Sequence, residues 1–124
     1  MRTVLTIEDN FFFARMYKAV LTPLGCQVLN AGTVQRALEV LAREQAHLVI
    51  VDLRLPDGSG LAIVRWIREH PRLRETPVLT ITTRASGQSE RSAYEAGASA
   101  FLAKPVNLES LKAVVSRYIG PATV

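Results

Sequence analysis

Apolar and polar positions alternate along this chain in two rhythms. Short apolar runs rich in β-branched residues occur at residues 3–7, 27–30, 48–52, 77–81 and 99–102. These have strand length and strand composition. Longer stretches between them space their apolar residues by three and four. Val34, Ala37, Leu38 and Leu41 are one such set. Leu61, Ile63, Val64 and Ile67 are another, with Arg65, Arg68 and Glu69 expected outward, and Leu108, Leu111, Val115 and Tyr118 a third. Each set would lie on one face of a helix. Asn10, Thr33 and Asn107 are suited to cap helices, and Ser59 or Gly60 to begin one. Pro23 with Gly25, Pro71 and Gly97 stand where helices should stop. A polar helix is expected over residues 86–96.

The run Leu48-Val49-Ile50-Val51-Asp52 is oily on both faces, as a central parallel strand must be. It ends abruptly in an acid, and Pro56, Gly58 and Gly60 then make a loop. Strands alternate with helices five times, which is the βαβ pattern of a parallel sheet covered on both sides. Asp52 would therefore stand at the carboxyl edge of the sheet, where open α/β folds place their chemistry. A lone strand-end acid more often only begins a turn. Its company argues otherwise.

Composition bounds the answer without choosing it. With 124 residues, 48% of them hydrophobic, one domain with a real core is expected, spanning residues 1–124 with a core at about 3–119 and no output domain. No apolar stretch reaches membrane-spanning length. Cys26 is single and sits in an apolar run, so it reads as a core thiol in a reducing, cytoplasmic setting. The net charge of +4 comes with arginines at 65, 68, 72, 74, 84 and 91. They form no recognition-helix pattern and no basic run with interleaved aromatics, so a solvated basic face is expected before a nucleic-acid surface. An acidic protein partner stands between those readings. His47 and His70 each stand alone, as structural histidines do. Phe11, Phe12 and Phe13 read as core and packing residues rather than a ligand site, and at least one should be partly exposed or lie on a neighbouring loop, because three consecutive positions cannot share a helix face.

Four strand tips carry polar groups on one rim: Glu8 and Asp9, then Asp52, Thr82 and Lys104. Three carboxylates together repel one another and favour a divalent cation. Oxygen-only ligands suit Mg²⁺ better than zinc. A carboxylate beside such a cation, an ammonium and a hydroxyl is equipped to accept a phosphoryl group as an aspartyl phosphate.

These residues resemble the receiver domain of two-component response regulators, especially single-domain members of chemotaxis and cell-cycle control. The resemblance is carried by Glu8-Asp9, by Asp52-Leu53-Arg54-Leu55-Pro56-Asp57-Gly58-Ser59-Gly60, by Thr82 and by Lys104-Pro105. It extends over essentially the whole chain. It implies a flavodoxin-like (βα)5 three-layer sandwich with its parallel sheet in the order 2-1-3-4-5. It implies that Asp52 accepts a phosphoryl group from a histidine kinase or phosphotransfer protein. Asp9, Asp52 and the main-chain carbonyl of Arg54 would hold Mg²⁺, with Glu8 acting mainly through water. Thr82 and Lys104 would contact the phosphoryl oxygens, the bond before Pro105 would be cis, and Phe101 would be the aromatic switch partner of Thr82. Helix 4, strand 5 and helix 5 would present the downstream docking face, with Tyr94, Arg91 and Phe101 as contacts.

The chain would be a monomer or weak homodimer, with no catalysis beyond its own phosphotransfer and slow dephosphorylation. Thr83 departs from the small residue usual there and would narrow the approach to Asp52. Arg54 and Arg84 occupy positions linked with phosphoryl lifetime. The segment 83–88, which contains Gly87, reads as a mobile loop. Thr83 favours a second reading, an unphosphorylated pseudo-receiver that binds constitutively. A nucleotide-binding reading lacks a Walker loop or Gly-x-Gly-x-x-Gly turn.

Overall fold

The computed structural model describes residues 2–120. The short tail expected after the last helix lies outside them. Five parallel strands form one sheet: β1 (Arg2–Ile7), β2 (Cys26–Ala31), β3 (Leu48–Asp52), β4 (Val78–Thr82) and β5 (Ala100–Ala103). Their order is β2-β1-β3-β4-β5, the flavodoxin-like arrangement expected. The helices are α1 (Phe11–Leu21), α2 (Val34–Arg43), α3 (Gly60–Glu69), α4 (Gly87–Ala96) and α5 (Leu108–Ile119).

Alternation along β3 explains the two-sided sheet. Val49 and Val51 face the layer of α2 and α3, among Ala37, Leu41, Ile63, Val64 and Ile67. Leu48 and Ile50 face the layer of α1 and α5, among Tyr17, Leu21, Leu111 and Val115. Every residue of β3 is buried, because successive side chains leave opposite faces and both faces are covered.

Caps place the helix starts. Asn10, Thr33, Ser59 and Asn107 each accept main-chain N–H bonds from the first turn that follows. Ser86 and Ser89 form a reciprocal capping box, so Gly87 and Gln88 belong to the first turn of α4 rather than to a mobile loop. Ser89 Oγ also donates to the Arg84 carbonyl at 3.1 Å, which closes the segment between Thr83 and Ser86.

Other departures follow from contacts between elements. On α2 the buried stripe is Ala37, Val40 and Leu41, with Val34 and Leu38 at its margin. On α5 it is Leu111, Val115 and Ile119. Leu108 is exposed, and Tyr118 lies at the edge with its hydroxyl donating to the Ser99 carbonyl. Arg68 does not point to solvent. Its guanidinium donates to the carbonyls of Gly97, Arg74 and Thr76 and to Ser99 Oγ, tying the end of α3 to the end of α4 and the start of β5. Arg72 likewise donates to the carbonyls of Leu41 and Glu44. The arginine cluster is thus partly structural, because guanidinium groups satisfy carbonyls left open at helix ends. His47 Nδ1 accepts from Thr3 N–H, and His70 Nδ1 from Arg72 N–H, both in structural roles. Cys26 is buried, as a core thiol should be.

The loop after β3 folds into a two-residue hairpin, Arg54–Leu55 against Gly58–Ser59, which the chain's local pattern did not announce. At its turn, the Asp57 carboxylate accepts from Val34 N–H at 2.7 Å and Gln35 N–H at 3.1 Å, capping α2 from outside. Those bonds hold its carboxyl below the ordinary value of 3.8. A depressed carboxyl stabilises the fold above its ordinary value and ceases to do so as pH falls through its folded value. Asp57→Ala should therefore lower the melting temperature at neutral pH. Thermal melts across pH should show the deficit shrinking below pH 3.8, and a deficit that persists at the lowest pH would count against the cap.

Candidate functional site

The site stands at the carboxyl edge of β1, β3, β4 and β5. Register places it: Ile7 pairs with Val51, Asp52 with Ile81, and Thr82 with Ala103. Main-chain bonds carry the ladder past the strand ends, from Leu53 N–H to the Ile81 carbonyl and from Lys104 N–H to the Thr82 carbonyl. Glu8, Asp52, Thr82 and Lys104 thereby arrive on adjacent tips.

Lys104 is the centre of the polar cluster. Its Nζ lies 2.8 Å from Asp52 Oδ2 and 2.6 Å from Glu8 Oε1, and its side chain is only 4% exposed. The third side of the ammonium meets the Phe13 ring, 4.2 Å from its centroid. Asp52 Oδ1 accepts from Arg54 N–H at 2.9 Å, so each of its oxygens has a partner. Glu8 Oε2 accepts from Asn10 N–H at 3.1 Å, and Oε1 also accepts from the Tyr17 hydroxyl at 3.4 Å. Glu8 also pairs directly with Lys104. Among the described residues no buried side-chain polar atom lacks a partner.

Burial and charge pull against each other here. Burial pushes the Glu8 carboxyl above its ordinary value, and the Asp52 charge adds to this, while hydrogen bonds from Lys104 and Asn10 offset part of it. Burial opposes the charge on Lys104, but hydrogen bonds and the charges of Asp52 and Glu8 outweigh it and hold the amine above its ordinary value. Burial, then the neighbouring carboxylates, push the Tyr17 phenol upward, so it remains a donor.

Asp9 is exposed at the mouth. One carboxylate oxygen each from Glu8, Asp9 and Asp52 lie within 4.8 Å of one another. Three hard oxygen donors at that separation fit a small divalent cation, with room for water in its remaining positions. Thr82 is buried, its Oγ1 accepting from Arg84 N–H at 3.2 Å. Thr83, Arg54 and Arg84 are exposed, and neither guanidinium forms a hydrogen bond or ion pair among the described residues. Phe101 is half-buried on β5, opposite Thr80. The Lys104–Pro105 bond is cis.

The structure thus brings Glu8, Asp9, Asp52 and Lys104 into one cluster, with Thr82 on the adjacent strand tip. It adds Phe13 and Tyr17, which reach the cluster from α1 at i and i+4. An aromatic at each of those positions, one turn apart and just after an acid pair, is the signal that could have found them. Phe11 and Phe12, expected to pack, are 73% and 70% exposed. With Arg15, Met16 and Ala19 they line a groove of about 540 Å³ along α1.

Comparison with known proteins agrees with this geometry. A family model described as "Response regulator receiver domain" matches residues 4–116. The polar-differentiation response regulator DivK of Brucella ovis is 24% identical over 121 residues, covering 98% of both chains. The chemotaxis protein CheY4 of Vibrio cholerae superposes with a TM-score of 0.89 at 27% identity, covering 96% of this chain and 99% of its own. A sensor histidine kinase receiver domain from Pseudomonas aeruginosa superposes at 0.87 and 28% identity, covering 96% of this chain and 98% of its own. That domain holds a magnesium ion in its active-site cleft. Family model, fold and rim agree, and the chain belongs to the response regulator receiver domains of two-component systems.

Proposed function

We propose that Asp52 is the phosphoacceptor of a Mg²⁺-dependent switch, charged by a histidine kinase or histidine phosphotransfer protein in the cytoplasm. The observation that carries this is Asp52 bonded to Lys104 while sharing a 4.8 Å cluster with Glu8 and Asp9. In the transfer, an Asp52 oxygen forms a bond to phosphorus as the donor's nitrogen–phosphorus bond breaks, and the electron pair leaves with the imidazole. Asp9, Asp52 and the Arg54 carbonyl would hold Mg²⁺, with Glu8 through water, and the cation would offset charge on the transferring group. Lys104 supplies a second positive charge at the same oxygens, and Thr82 a hydroxyl for one of them. The exposed Phe11–Phe12 groove on α1, the helix that begins two residues after Asp9, suits a protein donor, which must cover this rim to bring its histidine to Asp52.

The output is a change in protein binding. Thr82 moves toward the phosphoryl group, Phe101 turns inward, and the face of α4, β5 and α5 alters around Tyr94 and Arg91. Acetyl phosphate with Mg²⁺ should add about 80 Da, one phosphoryl group, to the wild-type mass and nothing to Asp52→Asn. Mg²⁺ alone should raise the melting temperature by relieving repulsion among the acids. An unmodified wild-type mass together with no metal effect would overturn the proposal in favour of a constitutive binding module.

A further inference from the structure

The phenol of Tyr17 lies in the apolar layer between α1, α5 and the sheet, 1% exposed, among Leu21, Leu48, Ile50 and Leu111. A phenylalanine would fill that place with no polar atom to satisfy. The hydroxyl has one hydrogen-bond partner among the described residues, Glu8 Oε1. Four residues earlier, the Phe13 ring meets the ammonium of Lys104, the other partner of that oxygen. One face of α1 therefore touches both halves of the Glu8–Lys104 pair.

Glu8 Oε2 is held by Asn10 N–H from its own loop, and Oε1 by Lys104 from the tip of β5. Tyr17 adds a second hold on Oε1 from the core side. With it, the carboxylate plane is fixed from three directions. Without it, Oε1 follows Lys104 alone, and Lys104 must also answer to whatever Asp52 carries.

We propose that Tyr17 is a positioning residue for Mg²⁺ uptake: its buried hydroxyl holds the Glu8 carboxylate where the three acids converge. This rests on the metal-dependent phosphoacceptor reading and adds a residue that touches neither the metal nor the phosphoryl group.

Tyr17→Phe removes one oxygen and keeps the ring. Mg²⁺ binding by titration calorimetry, with no phosphodonor present, should show a Kd raised roughly twofold, the fold-change of a net hydrogen bond at the weak end of the range, as befits an O–H···O pair at 3.4 Å. The Mg²⁺ concentration that half-saturates acetyl phosphate labelling should rise with it, while the plateau rate stays within about twofold. A purely structural hydroxyl would lower the melting temperature and leave Mg²⁺ binding unchanged. That result in the variant, with the wild type binding Mg²⁺ normally, would overturn this inference and leave the phosphoacceptor reading standing. A wild type that binds no Mg²⁺ would overturn both.

Discussion

Gly60→Ala is expected to destabilise the domain by about 3 kcal/mol, the upper end of what overpacking a core costs. A Cβ at Gly60 would drive into the Asp52 carbonyl oxygen and would meet Val51 Cγ2 at 2.9 Å and Leu53 Cα at 3.0 Å. Backbone cannot step aside as a flexible side chain can. Gly60 is also tied there, because its N–H donates to the Leu53 carbonyl at 3.0 Å. The strand that must yield is β3, which carries Asp52, the proposed phosphoacceptor, so the damage should reach function. Thermal melting should show a fall of roughly 10 °C. Acetyl phosphate labelling should fall further than the unfolded fraction explains. Gly87→Ala is the matched control: it too opens a helix, but its Cβ would meet nothing within 4 Å. It should be neutral or slightly stabilising. Equal melting temperatures for the two variants would refute the close-approach argument.

Lys104→Met should cost on the order of 3 kcal/mol near neutral pH, because it leaves two carboxylates facing each other without their shared cation. Methionine keeps the stem's volume and removes only the charge. With Lys104 present, the Glu8 carboxyl already lies above its ordinary value of 4.5. Without the ammonium it should rise further. A raised carboxyl favours the protonated folded state, so stability falls as pH climbs from the ordinary value through the folded one. The variant's deficit should therefore shrink on acidification from pH 8 toward pH 5. Mg²⁺ should also restore part of it, since a cation can take the ammonium's place. The wild type should lose stability in its turn at the alkaline end. Lys104 is held above 10.5, so its contribution is complete below that value and is lost as pH rises past it. Melting temperatures on a pH grid, with and without Mg²⁺, check both signs. A flat deficit, unaltered by Mg²⁺, would contradict them. Labelling of Asp52 should be lost in this variant at every pH.

Much of the site was readable before any coordinates. Glu8, Asp9, Asp52, Thr82 and Lys104 each follow an apolar strand, and parallel connections bring all strand ends to one edge. Their convergence is a consequence of topology, and the observed Asp52–Lys104 distance of 2.8 Å agrees with it. Phe13 and Tyr17 were not readable in the same way. On α1 both have the pattern of core residues. Their i, i+4 spacing after the acid pair marks them as sharing a face, but it does not tell that the face reaches a charge on another strand. Exposure of at least one phenylalanine was expected, and helical phase, set by the Asn10 cap, turns both Phe11 and Phe12 to solvent while it turns Phe13 and Tyr17 inward.

The order of elements, the five-strand parallel sheet and the set of rim residues were determined by the chain's own pattern. Periodicity, caps and Gly or Pro stops act over a few residues, and a parallel sheet then follows from alternation, while its strand order is what the family resemblance implies. Tertiary structure alone decided the rest. Arg68 turned inward to the open carbonyls of Gly97, Arg74 and Thr76 rather than outward with its helix face. Asp57 crossed to the start of α2. Tyr17 reached Glu8. In each case a polar group was satisfied by a partner on another element. Such pairings depend on where packed layers set two atoms about 3 Å apart, a hydrogen-bond distance that local periodicity does not encode.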